Sequence, residues 1–208
     1  MESVGRIGNV SAALLLGGAS RRMGRDKAQL AFEGVAFATR SARLLERLFE
    51  EVLLVGGDAP SDAPGRRVPD PSGPRCALRG LVAALEAASA ERVLVLATDL
   101  PLVTPDLLLG LVAWPEADVV LPRDREGPQP LCAVYRRAAA LPLARQRLAS
   151  GDLALQRVLE GLELAALEGD ALRALDPEGL ALSNVNTPED LARVRALAAD
   201  AAREAPRA

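Results

Sequence analysis

Residues 17–27 read GGASRRMGRDK, so two glycines are followed at once by four cations within seven residues: Arg21, Arg22, Arg25 and Lys27. Glycines lack the Cβ that keeps an anion away from the main chain, and a cluster of guanidinium and ammonium groups neutralises it. That combination suits a polyphosphate. The spacing is not that of a Walker A loop, because five residues separate Gly18 from Gly24 and Arg25 follows, and G-x-G-x-x-G does not fit either. A second chemical group is Asp99, which follows the apolar run RVLVLA in Thr98-Asp99-Leu100-Pro101. A carboxylate at the end of a buried strand can reach a divalent cation in the crevice there. Thr104-Pro105-Asp106 already provides the cap of the next helix, so Asp99 is not needed for that task.

Weaker candidates surround these two. Asp70, in Val68-Pro69-Asp70-Pro71, is a candidate nucleotide contact or second metal position, with plain turn chemistry an equal reading. Asn184 and Asn186 could bind a polar substrate or position Asp99, or could form an Asx turn before a helix. Cys76 and Cys132 have no neighbouring base and read as small core residues. Histidine is absent, which removes His-ligated zinc, Ser-His-Asp triads and imidazole bases. Of 25 cationic residues, 24 are Arg and Lys27 is the single Lys. Where Arg has replaced Lys everywhere else, the one ammonium is a candidate for a position that needs a compact point charge rather than a planar fork, with chance survival the alternative reading.

The elements that must hold these groups alternate. Residues 10–16 (VSAALLL) read as a buried parallel strand entering the glycine loop. A short extended segment at 30–32 with a Glu33-Gly34 turn precedes a helix, in which Ala38, Ala42, Leu45 and Phe49 form the apolar face and Arg40, Arg43 and Arg47 lie between them. A strand at 51–55, an irregular loop at 56–74, a helix carrying Leu78, Leu81, Val82 and Leu85, and a strand at 92–97 follow. Further strands are expected at 117–121 and 130–135, with helices in the Ala/Leu-rich stretches after Ala138 and after Asp152. Thr187 is the expected N-cap of a final helix reaching about residue 202. Alternation of this kind predicts an α/β fold: a three-layer αβα sandwich with a Rossmann-like, mostly parallel sheet and ligands at the carboxyl ends of its strands.

The whole chain bounds the partners. Its 208 residues, half of them hydrophobic, suit one domain over 1–208. A net charge of −3 predicts no general nucleic-acid binder, and the sequence offers no membrane span and no signal peptide, so a cytoplasmic protein is expected.

With these residues in place, the sequence resembles the molybdenum cofactor guanylyltransferases (MobA), of the nucleotide-diphospho-sugar transferase fold. The likeness rests on LLGGASRRMGRDK at 15–27, ATDLP at 97–101, QPLCAVY at 129–135 and NVNTPEDL at 184–191. The resemblance implies a nucleotidyltransferase that moves GMP from GTP to the terminal phosphate of molybdopterin, with pyrophosphate released and Mg²⁺ as cofactor. It implies that Leu15, Leu16, Gly17 and Gly18 border the guanine and ribose, that Lys27 and Arg21 meet the phosphates, that Asp70 contacts the nucleotide and that Asp99 holds Mg²⁺. Asn184 and Asn186 match family positions near the acceptor or active site. The Gly17-Gly18 pair is the form of GTP-using members, whereas cytidylyltransferase relatives carry Ala-Gly. The departures are Leu16 in place of Ala, Gly56 in place of Asn, and Cys76-Ala77-Leu78-Arg79-Gly80 in place of G-P-L-x-G. The alternatives are a molybdopterin cytidylyltransferase, a nucleotidyltransferase for another phosphorylated acceptor, and a non-catalytic nucleotide-binding protein. Transient contact with other molybdenum cofactor biosynthesis proteins is compatible with each.

Overall fold

The computed structural model describes residues 5–16, 31–32, 35–69, 73, 76–185, 187, 189–190, 192–193 and 196–197. In chain order the elements are β1 (Val10–Leu15), β2 (Ala31–Phe32), β3 (Val35–Ala36), α1 (Phe37–Leu48), β4 (Val52–Val55), β5 (Arg66–Val68), α2 (Ala77–Ala87), β6 (Arg92–Ala97) and α3 (Pro105–Ala113). The second half adds β7 (Val119–Asp124), β8 (Gly127–Pro128), β9 (Cys132–Arg136), α4 (Arg137–Ala149), α5 (Leu155–Leu159), β10 (Leu164–Leu167) and α6 (Gly169–Leu175).

The main sheet runs β10-β7-β9-β6-β1-β4-β5, with β8 folded back on β7. β1 is parallel to β4 and β6, β4 to β5 and β7 to β10, while β9 runs antiparallel to both β6 and β7. Apart from Ser11 in β1 and Arg92 in β6, the strands β1, β4 and β6 at the centre are apolar throughout because both faces are covered. Residue parity then decides the partner. Ala12, Leu14, Leu54, Leu94 and Leu96 pack into the core beneath α1 and α3, and Ala13, Leu15, Leu53, Val93 and Val95 into the core beneath α2, α4 and α5. This is the expected three-layer sandwich. In α1 the predicted apolar face is buried, with Ala38, Ala42, Leu45 and the following Phe49 all at 0% exposure.

Two expectations change. The segment 56–74 is not wholly irregular, because β5 adds an edge strand to β4 within it. Its Arg66 and Arg67 are exposed, as edge strands commonly are, so no apolar run announces it. After Asp152 the chain forms only the short α5, then β10 and α6. The sequence LAAL of β10 favours helix by local propensity, and pairing with β7 overrides it. At the C-terminus the Thr187 cap is present in reciprocal form: Asp190 N donates to Thr187 Oγ1 at 3.0 Å, and Thr187 N to Asp190 Oδ2 at 3.0 Å. The Glu33-Gly34 turn lies outside the described residues.

Candidate active site

Parallel strands bring their carboxyl ends to one edge, and a short series of hydrogen bonds fixes how those ends meet. Leu15 O, at the end of β1, accepts from Thr98 N at 3.3 Å and from Thr98 Oγ1 at 3.2 Å. Leu16 N donates to Val55 O at 2.9 Å and Gly56 N to Val68 O at 2.9 Å, which ties the exits of β1, β4 and β5 together. Ala97 N donates to Leu131 O at 2.8 Å, which brings the start of β9 to the same place. From the far end of the chain, Val185 N donates to Asp99 O at 2.8 Å, and the Val185 side chain is fully buried. Val185 is therefore seated on the main chain of Asp99, two residues past the end of β6.

These contacts place Leu15, Leu16, Asp99 and Asn184 on one edge. The side chains of Leu15 and Leu16 enter the two cores, at 5% and 1% exposure, so only their main chain is offered there. Asp99 and Asn184 are half-buried. Gly17, Gly18, Arg21, Lys27, Asp70 and Asn186 lie outside the described residues. The strand leading into 17–27 and Val68, two residues before Asp70, both end at this edge.

Sequence reasoning passed over three residues here. Thr98 closes the β1 exit through both its amide and its hydroxyl. Gly57 has φ +57°, and a Cβ on it would lie 3.0 Å from Leu16 Cβ and 3.1 Å from Leu16 O. Both conditions require glycine, since a side chain there is strained and collides with the main chain that leads into the glycine loop. Arg79, in the first turn of α2, lays its guanidinium against Gly73, where a Cβ would come within 2.8 Å of Nη2. Thr98 sits in a motif already singled out and Gly57 in a Gly-Gly pair, whereas Arg79 gives no signal of its own.

The thiol of Cys132 is fully buried and desolvation pushes it up to about 12, in keeping with its reading as a core residue. Among the described residues no group of three His, Cys, Asp or Glu could cage a metal ion. A carboxylate at a strand end does fit Mg²⁺, which keeps several waters and is bound by one or two carboxylates together with substrate phosphates.

Residues 12–167 match the MobA-like NTP transferase domain. The chain belongs to that family. It is 37% identical over 196 residues to a protein of Chloroflexus aggregans named as a probable molybdenum cofactor guanylyltransferase, covering 90% of this chain and 94% of that one. Among solved structures it is similar to molybdopterin-guanine dinucleotide biosynthesis protein A of Archaeoglobus fulgidus, with a TM-score of 0.80 and 24% identity over 91% of this chain and 99% of that chain. It is also similar to 2-C-methyl-D-erythritol 4-phosphate cytidylyltransferase of Thermus thermophilus, with a TM-score of 0.67, 20% identity and coverage of 90% and 98%. Both structures establish the fold alone. As a member of the MobA-like family the chain is a nucleotidyltransferase with a mostly parallel mixed sheet flanked by helices. No helix among the described residues is long and apolar enough to cross a membrane.

Proposed function

We propose that this MobA-like protein transfers GMP from GTP to the terminal phosphate of molybdopterin and releases pyrophosphate. The observation that carries the reading is the seating of Val185 on Asp99 beside the exit of β1, which brings Leu15, Asp99 and Val185, one described residue from each of three sequence motifs, to one edge. The terminal phosphate of the acceptor is already an anion, so its attack on the α-phosphorus needs no general base, in line with a chain without histidine. The α-phosphorus gains a bond to the acceptor oxygen and loses its bond to the β-phosphate oxygen. Catalysis is then positioning and charge neutralisation.

In this reading the 17–27 loop wraps the triphosphate, with Gly17 and Gly18 giving close main-chain approach and Arg21 and Lys27 stabilising the charge that collects on pyrophosphate. Asp99 holds a divalent cation, Mg²⁺ being the expected one, whose chemistry is to polarise and neutralise phosphate oxygens. Asp70 contacts the nucleotide. Asn184 and Asn186, the two sequence neighbours of Val185, orient the acceptor. Leu15 and Leu16 shape the base pocket through their main chain.

Pyrophosphate release with molybdopterin and Mg²⁺, measured with GTP, CTP and ATP in parallel, tests the proposal. Release with GTP alone is the expected result. Preference for CTP overturns the choice of base, and release that does not depend on molybdopterin overturns the acceptor.

A further inference from the structure

Beside the active edge, on the α1 and α3 face of the sheet, lies a groove of about 590 Å³ between α1 and segment 101–105. Its floor is apolar: Leu44 and Val103 are buried at 8% each, and Leu102 stands half-exposed on the wall. Along the other wall α1 presents Arg40, Arg43 and Arg47, and among the described residues no acidic side chain lines the groove. All three arginines are exposed, and they span about 10 Å of helix at 1.5 Å per residue. Arg43 pairs with Asp62 at 3.0 Å and Arg40 is also engaged, so the guanidinium that stands without an ion-pair partner among the described residues is that of Arg47.

We propose that this groove docks an acidic, leucine-bearing segment of a partner protein. Charge complementarity selects the occupant. A row of guanidinium groups over an apolar floor matches a chain that offers carboxylates on one side and aliphatic side chains on the other. A nucleic acid offers phosphate but nothing aliphatic for the floor, and the net charge of −3 opposes a long polyanion elsewhere on the surface. A small anion would leave Leu44, Leu102 and Val103 unused. Because segment 101–105 continues directly from Asp99, a partner held here stands at the rim of the active edge. On the proposed activity, this is where a protein that delivers the pterin or receives the finished dinucleotide would wait.

The test is fluorescence polarisation of the full chain with a labelled peptide of repeated Glu-Glu-Leu, alongside Glu-Glu-Ser, Lys-Lys-Leu and single-stranded oligonucleotide probes. Glu-Glu-Leu should bind best and weaken with salt. Arg47→Glu and Leu102→Asp should each weaken it about tenfold or more, the range expected when an interfacial charge is reversed or an apolar anchor lost. Pyrophosphate release with free molybdopterin should be unchanged in both variants, and their unfolding midpoints should match the wild type. Failure of Glu-Glu-Leu to bind, indifference to both substitutions, equal binding of Glu-Glu-Ser, or preference for the oligonucleotide each overturns the proposal. These readouts do not depend on turnover, so a protein inactive towards GTP could still support the groove, and an active one could still refute it.

Discussion

The two edges of the central sheet are built from the same strands and closed by different means. At the amino edge, Glu51 is held by side-chain and main-chain donors from four directions. Ser11 Oγ donates to it, Ser89 donates through N at 2.9 Å and Oγ at 2.7 Å, and Arg66 Nη2 donates at 3.0 Å. Ser11 Oγ in turn accepts from Ala90 N at 3.0 Å. Burial works against the charge of Glu51, yet these hydrogen bonds outweigh it and bring its pKa to about 2. At the carboxyl edge the joints are mainly main-chain bonds: Leu16 to Val55, Gly56 to Val68, Val185 to Asp99 and Thr98 to Leu15. An edge pinned by its backbone leaves its side chains to chemistry, whereas an edge pinned by a carboxylate has spent that carboxylate on the fold. A charged group among strand ends is thus informative only once its partners are known.

The comparison can be broken most directly at the amino edge. Glu51→Ala leaves Ser11 and the Ser89 amide without their acceptor, and should cost about 2–3 kcal/mol of stability with kcat/KM per folded molecule unchanged. Chemical denaturation combined with pyrophosphate release measures both. The converse variant, Lys27→Ala, should lower turnover at least tenfold, about 1.4 kcal/mol, with no shift in the denaturation midpoint. Gly57→Ala tests whether the exits of β1 and β4 need their close approach. Strain and collision of about 1 kcal/mol there should raise the KM for GTP about fivefold with a smaller change in kcat.

A further effect is in acid. The folded pKa of Glu51 lies below its ordinary value of 4.5, so its contribution to stability is complete above pH 4.5 and is lost as pH falls from there towards about 2. Denaturation midpoints across that window should decline in the wild type and decline less in Glu51→Gln.

Much of this architecture was legible in the sequence, for identifiable reasons. Strands β1, β4 and β6 are buried on both faces, so their apolar runs cannot be mistaken, and the Thr187 and Thr104 caps follow from local chemistry that needs no tertiary context. Strand β5 was hidden because an exposed edge strand carries arginines, and β10 because Leu and Ala favour helix locally and only pairing with β7 overrides that preference. Asp99 could be found because a carboxylate directly after a buried strand has no place in the core. Gly57 and Thr98 could not be assigned roles, because each acts on a main-chain atom some forty or eighty residues away along the chain. Val185 was masked by the two asparagines around it, although its amide is what joins their segment to Asp99.

The central claim is that the carboxyl edge reacts while the amino edge holds the fold. Asp99→Ala and Glu51→Ala, compared side by side for GTP-dependent pyrophosphate release and for denaturation midpoint, test it in one experiment. The account predicts that Asp99→Ala loses at least tenfold in turnover with an unshifted midpoint, and that Glu51→Ala unfolds earlier yet turns over normally when folded. Near wild-type turnover in Asp99→Ala, or lost turnover in fully folded Glu51→Ala, would contradict it.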